Sequence, residues 1–401
     1  MIKRLYLYSL LLALLTSFTA CQQNQAEPTP VVAETAKDPY VSSQLLLSVP
    51  LSTLKPLLTA QGFGTYSDQV KYGVSVYKMV YTTSYQGKEI KASGLVCIPV
   101  GITTPAPVIS AQHGTIFAHR EAPTASTDVS GFELLAAAGY ITFMPDYIGF
   151  GESKNVFHPY YDQKHSALAV VDMLKAGRSF YKEQNLTTNN KLFLVGYSEG
   201  GYVTMAAQKE IETNPAHGLK VTASAAGAGG YDLTAMLSDV TSGQPYSFPA
   251  YLAYILQAYN YTNDWKRPLS ELFQEPYASR LPGLFNGSNR AGDINNQLHP
   301  DPATLFAPAF FNGLKDANKE QVFKQALQDN SLTDWAPQSP TRLYHGTADM
   351  IVPYSNSEKT FAALKARGAK NITFTPIPGG AHNTSFETML EDIIPWMQSF
   401  K

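Results

Sequence analysis

The chain has 401 residues, of which 44% are hydrophobic and 15% charged, and its formal net charge is −2. That is enough apolar material for a sizeable core and enough length for one large domain with an insertion, or for two. The balanced charge gives no suggestion of nucleic acid as a partner, and no block of like charge marks a tail.

The first residues read as a targeting segment. Lys3-Arg4 is a charged start, and the apolar run from Leu5 to Phe18 is short for a membrane span. Phe18-Thr19-Ala20-Cys21 follows. The stretch resembles a bacterial lipoprotein signal, with small residues before a cysteine that becomes the lipidated N-terminus. Phe18 stands where leucine is commoner. The alternative is an ordinary signal peptide cut near Ala20, with Cys21 left as a thiol. Lipidation at Cys21 implies export and a membrane anchor of several acyl chains, at the outer membrane or the cell surface. Residues 1–21 are thus signal and lipidation site, and residues 22–64 a tether and N-terminal segment. Gln22 to Lys37 is polar and contains Pro28 and Pro30, which suits a tether. The only other cysteine, Cys97, sits inside a strand pattern and reads as a small buried hydrophobe.

Ser52 to Ala60 predicts a short helix capped by Ser52. Val74 to Ser84 alternates as a strand does, Gln86-Gly87-Lys88 turns, and Ile90 to Pro99 returns, an antiparallel hairpin. The rhythm then changes to strand and helix in turn. Pro107 to Ala111 is a short strand, Gly131 to Gly139 a helix closed by glycine, Ile141 to Met144 a strand, and His165 to Gln184 a long helix. Lys191 to Val195 is the next strand, Tyr202 to Glu210 its helix, and Val221 to Ala228 another strand. Such alternation predicts a parallel sheet covered on both faces. It stops near Leu233 and resumes at Thr341. The stretch between, 233–340, holds helical segments around Tyr251 to Tyr259, Leu305 to Phe311 and Gln321 to Leu327. A structureless loop of that length is disfavoured, so it is expected to be a helical cap. Arg342 to His345 and Asn371 to Ile377 complete the strands, with helices over Ser357 to Arg367 and Glu387 to Phe400. The core is expected over 65–232 and 341–401.

Chemistry concentrates at Gly196-Tyr197-Ser198-Glu199-Gly200, between a predicted strand and a predicted helix. A sharp strand-to-helix turn of this kind pushes a serine hydroxyl into the open. Gly196 and Gly200 are small where strand and helix pass close together. The plainer alternative is a turn whose serine only caps the helix. A serine hydroxyl needs a base within hydrogen-bond reach, and the base needs an acid to orient it. In sheets of this type the chain order is serine, acid, histidine, and Ser198, Asp349 and His382 follow it. Each lies just past the carboxyl end of a predicted strand, the edge where open parallel sheets bind ligands.

Three motifs carry a resemblance to α/β-hydrolases: Gly196 to Gly200 as the elbow, His345-Gly346-Thr347-Ala348-Asp349-Met350-Ile351-Val352-Pro353 around the acid, and Gly379-Gly380-Ala381-His382 around the base. Within that superfamily the chain resembles the secretory lipase and esterase group, and more loosely the prolyl-oligopeptidase-like hydrolases. The resemblance runs from about residue 65 to 401. It implies an α/β fold with a mostly parallel sheet, helices on both faces and an inserted helical cap. It also implies a Ser198, Asp349, His382 triad working through an acyl-enzyme on a small-molecule or lipid ester. The oxyanion needs two backbone donors. One is expected to be the Glu199 amide, the other Thr115 in His113-Gly114-Thr115, with Gly114 as its neighbouring candidate.

Competing readings attach to several residues. Asp349 alone would suit a turn. Asp232 also follows a strand and is the rival acid, or else holds the root of the cap. Asp146 precedes the elbow, the wrong order for a triad, and with Gly149, Gly151 and Ser153 suits a structural turn. His113 and His345 end strands as scaffold. Glu199 either touches substrate or bonds locally. No metal or cofactor site is expected, since the remaining histidines lack close carboxylate or cysteine partners. The functions in competition are a carboxylic-ester hydrolase, a serine peptidase on the same fold, and a lipoprotein that binds ligand in a degenerate hydrolase pocket.

Overall fold

The computed structural model describes residues 37–60, 68–128 and 130–400. The signal, Cys21 and nearly all of the tether lie outside them.

Among the described residues a nine-stranded sheet has the order β1-β2-β3-β5-β4-β6-β7-β8-β9. It opens with β1 (Tyr40–Val49), α1 (Leu51–Ala60), β2 (Gly73–Tyr85) and β3 (Lys88–Val100), followed by β4 (Ala106–Gln112), α2 (Glu133–Ala137), β5 (Ile141–Pro145), α3 (Gln163–Glu183), β6 (Thr188–Tyr197), α4 (Glu199–Thr213) and β7 (Ala223–Gly227). A run of helices follows: α5 (Leu233–Thr241), α6 (Pro249–Thr262), α7 (Leu269–Leu272), α8 (Tyr277–Leu284), α9 (Ala291–Asn295), α10 (Pro302–Leu305), α11 (Pro308–Lys315) and α12 (Gln321–Asp329). The chain then returns to the sheet with β8 (Thr341–Gly346), α13 (Tyr354–Ala366), β9 (Ile372–Ile377) and α14 (Thr384–Gln398). This is an α/β-hydrolase fold. β1, β2, β3 and β5 pair antiparallel, and the strands from β5 through β4 to β9 pair parallel.

The sheet begins earlier than residue 65. β1 pairs with β2 over Tyr40 to Val49 and is not apparent in the sequence pattern. Its leucines do not alternate: Leu45, Leu46 and Leu47 are all about half exposed, because an edge strand here has little to bury against. Polar groups tie it down instead, as the Ser43 hydroxyl donates to Glu183 of α3 at 2.7 Å.

Two apolar layers sandwich the sheet. On one face Val170, Val171 and Leu174 of α3 pack with Val203, Met205 and Ala206 of α4. On the other, Leu134 of α2 packs with Met389, Ile393 and Ile394 of α14. The period of about 3.6 in these helices, set against strands buried on both faces, produces this layering. Asp162 starts α3 by accepting from the His165 amide at 3.0 Å.

The parallel register brings the strand ends into line. Gln112 pairs with Gly196, Tyr197 with Gly227, Gly227 with Tyr344 and Gly346 with Ile377. The loops after β4, β6, β8 and β9 therefore emerge along one edge. The helices from Leu233 onward reach the same edge: Tyr202 donates to the Asn330 carbonyl at 2.7 Å, and Tyr246 donates to the Ile351 carbonyl at 2.9 Å.

Candidate active site

The elbow is built from close backbone approaches. A Cβ on Gly196 would stand 2.1 Å from the Gly200 carbonyl oxygen, and one on Gly200 would stand 2.0 Å from that of Gln112. Any side chain there would force β6, α4 and the end of β4 apart. The same crowding holds Ser198 at φ 61° and ψ −126°, a backbone conformation an L-residue rarely adopts. Ser198 makes no side-chain capping bond to α4, so the capping alternative fails. Its own amide is taken by the Gly227 carbonyl at 2.8 Å.

The hydroxyl turns to His382. Ser198 Oγ lies 2.9 Å from His382 Nε2, and His382 Nδ1 lies 2.6 Å from Asp349 Oδ2. The carboxylate accepts from Nδ1, which leaves Nε2 to accept the serine proton. Asp349 and His382 are buried, while Ser198 is partly open. The other Asp349 oxygen accepts from the Ile351 and Val352 amides at 2.8 and 3.0 Å. His345 Nε2, directed at the Val352 carbonyl at 2.9 Å, also stands 3.2 Å from Asp349 Oδ2. Burial by itself would raise the Asp349 carboxyl; hydrogen bonds from His345 and His382, with the charge of His382, outweigh it and hold the group well below the usual carboxylate range.

The expected oxyanion donors lie beside the serine. A Cβ on Gly114 would be 3.5 Å from Ser198 Cβ, and Thr115 lines the cavity that holds Ser198. Among the described residues, neither the Glu199 nor the Thr115 amide donates to a protein acceptor, and the Gly114 amide is likewise unengaged. The Thr115 hydroxyl lies 3.0 Å from that of Tyr160.

The rival groups have other partners. Asp232 caps α5, accepting from the Ala235 amide at 2.9 Å and the Thr234 hydroxyl at 2.7 Å. Asp146 accepts from the Ser93 hydroxyl at 2.5 Å and the Thr124 hydroxyl at 2.6 Å, fully buried. His113 stacks on Tyr147 at 4.1 Å between ring centres. Glu199 makes a tertiary bond and not a local one: its carboxylate meets His158 Nε2 at 2.8 Å, across 41 residues of sequence. The sequence pattern gives His158 no evident role. Its only signal is position, a few residues beyond the glycine turn at 149–151.

The cavity over Ser198 is small, about 40 Å³, and is lined by Tyr160, Tyr161, Tyr246, Tyr251, Met236 and Ile255 among others. Four of those six side chains come from the 233–340 stretch, and sequence periodicity does not reveal which of its tyrosines face the serine. A larger apolar cleft of about 740 Å³ lies between α1 and α2 and reaches Gly114 and Thr115 from the far side, without touching Ser198. Ser198 lines the smaller space and not this cleft.

Comparison with known proteins gives a consistent neighbourhood. The model of the Secretory lipase family matches residues 121–399. Lipase 10 of Candida albicans is 24% identical over 284 residues, which is 69% of this chain and 58% of that protein. The chain spans a little over half the length of the curated relatives it matches. Among solved structures, one from Legionella pneumophila is 26% identical with a TM-score of 0.81, covering 90% of this chain and 98% of its own. The rice cell wall degrading esterase LipA from Xanthomonas oryzae is 28% identical with a TM-score of 0.78, covering 89% and 96%.

Proposed function

The chain belongs to the secretory lipase family, and on that footing we propose that it is an exported serine hydrolase of carboxylic esters. The observation that carries the reading is the unbroken hydrogen-bonded path from Ser198 Oγ through His382 to Asp349, at 2.9 and 2.6 Å, on a serine held at positive φ.

Ser198 Oγ attacks the ester carbonyl while His382 Nε2 takes its proton. The carbonyl oxygen becomes an anion and moves toward the Glu199 and Thr115 amides, whose lack of other acceptors suits that role. His382 then gives the proton to the departing alcohol, leaving an acyl group on Ser198. Water repeats the sequence with His382 as base and releases the acid. Asp349 stays ionised throughout, orients the ring and stabilises the imidazolium.

The 233–340 stretch acts as the cap of this site, since it supplies half of the residues that line the cavity at Ser198. That cavity is far below the roughly 300 Å³ of a typical small-molecule site. Short acyl groups fit the conformation described, and longer ones require α5 and α6 to move. The signal sequence supports export with an acyl anchor on Cys21. An acid pair free to hold a substrate amine would favour a peptidase that recognises a free N-terminus, and the Glu199 carboxylate beside the elbow is instead engaged by His158. A ligand-binding role gives no reason for the aligned serine, imidazole and carboxylate.

The test is covalent. A fluorophosphonate should label the wild-type chain and leave Ser198→Ala unlabelled, and a panel of acyl esters should be turned over faster than matching peptide amides. A wild-type chain that stays unlabelled, or one that prefers the amides, would end the ester-hydrolase reading.

A further inference from the structure

A second imidazole–carboxylate pair sits on the other side of the elbow. His158 and Glu199 are 6% and 2% exposed, and His158 Nε2 lies 2.8 Å from Glu199 Oε1. His158 Nδ1 lies 2.7 Å from the Ile148 carbonyl oxygen. A carbonyl oxygen only accepts, so Nδ1 carries a proton. The Nε2 to Oε1 contact needs one more, because a bare nitrogen lone pair and a carboxylate would repel. The pair therefore holds a second proton and has no net charge.

Aromatic rings surround the imidazole. Tyr147 stacks on the imidazole at 6.1 Å and 16°, and Phe150, Tyr160 and Tyr254 stand 5.1, 6.0 and 5.7 Å from it. Aromatic faces attract a cation. The chain is also shaped to bring His158 here: a Cβ on Gly149 would be 2.6 Å from His158 Cα, so this glycine, at φ 96°, lets the two backbones touch. The glycine turn after β5 thus seats an imidazole against the residue that follows the nucleophile.

We infer that His158 is a positioning residue which, as an imidazolium, cancels the charge of the Glu199 carboxylate, so that the amide of the same residue can stabilise an oxyanion. This rests on Ser198 being the acylated nucleophile. A bare carboxylate on the residue that supplies an oxyanion donor would oppose the charge that the donor must stabilise. Its field does reach the site: burial raises the Tyr161 and Tyr251 hydroxyls of the cavity, and the charge of Glu199 pushes both further up. His113, Tyr147, Tyr160, Tyr202 and Tyr254 feel it as well, and among the described residues the ion-pair partner of Glu199 is His158, not a lysine or arginine.

The experiment is a double-mutant cycle on the full chain, read as turnover of p-nitrophenyl acetate, with folding checked by thermal melting. His158→Gln keeps a donor toward Glu199 but removes the positive charge, and should lower kcat roughly tenfold or more. Glu199→Gln should cost less. The double variant should be faster than His158→Gln alone, because removing the stranded charge restores what removing its partner lost. Packing alone predicts the opposite order, and a double variant as slow as His158→Gln, or slower, overturns the inference. Nitrogen-15 NMR of the histidine rings adds a readout that needs no activity. Both ring nitrogens of His158 should carry protons in the wild type at neutral pH, and only Nδ1 in Glu199→Gln. One protonated nitrogen in both proteins would also overturn it. A wild type that labels with no fluorophosphonate fails the ester-hydrolase reading instead, and the NMR result then decides the ion pair by itself.

Discussion

Two carboxylate–imidazole pairs flank Ser198, and they differ in where the second ring nitrogen points. In the Asp349–His382 pair it faces the serine hydroxyl at 2.9 Å. In the Glu199–His158 pair it faces the Ile148 carbonyl at 2.7 Å. The carboxylate contacts are nearly alike, 2.6 and 2.8 Å. In the mechanism proposed above, only the first pair has a group with which to exchange a proton; the second is closed on both sides. Proximity to the nucleophile and possession of a histidine and an acid are therefore not enough to make a general base. The partner of the remaining nitrogen decides.

The comparison breaks most sharply if the two histidines are equivalent in effect. Ser198→Ala or His382→Ala should cost roughly 10⁴-fold or more in ester turnover, since members of such a unit act together. That is far beyond the effect expected for His158→Gln, and equal losses at His382 and His158 would erase the distinction. Next in size is the acid. Asp349→Asn should lower kcat by roughly 10³- to 10⁴-fold, because His382 loses the acceptor that fixes its tautomer. Asp232→Asn should stay within about threefold, as asparagine caps a helix about as well as aspartate. Esterase assays on the two folded variants, side by side, decide the matter, and a dead Asp232→Asn would reverse the assignment. The smallest effect is on stability. The folded Asp349 carboxyl is depressed below its ordinary value of 3.8. Its ionisation thus stabilises the fold fully above that value and ceases to do so as pH falls through the depressed one. Urea melts should show a constant gap between wild type and Asp349→Asn from neutral pH down to about pH 4, narrowing below. A gap that narrows already near pH 6 would contradict the depressed carboxyl.

The parallel half of the sheet was legible because its strands are buried on both faces and its helices repeat every 3.6 residues. That Ser198, Asp349 and His382 would meet could be read because each follows such a strand in a fixed order. β1 was missed for a physical reason: Leu45, Leu46 and Leu47 are consecutive and half exposed, so no alternation marks them. His158 was missed because its meaning lies in two tertiary contacts, one 10 and one 41 residues away in sequence. The bland alternatives for Asp146 and Asp232 hold, and both aspartates bond to neighbouring hydroxyls and amides. The Glu199 carboxylate is taken up by His158, distant in sequence, and not by a neighbour along the chain.

Cys97 is fully buried in β3, and burial pushes its thiol well above the usual range. A sealed, protonated thiol is a poor nucleophile. The sequence has two cysteines, so in the folded chain a maleimide has only Cys21 left to find. Titrating reactive sulfhydryls before and after denaturation therefore counts the modification state of the N-terminus directly. An acylated chain gives none when folded and one when unfolded. A chain that keeps Cys21 as a thiol gives one and then two.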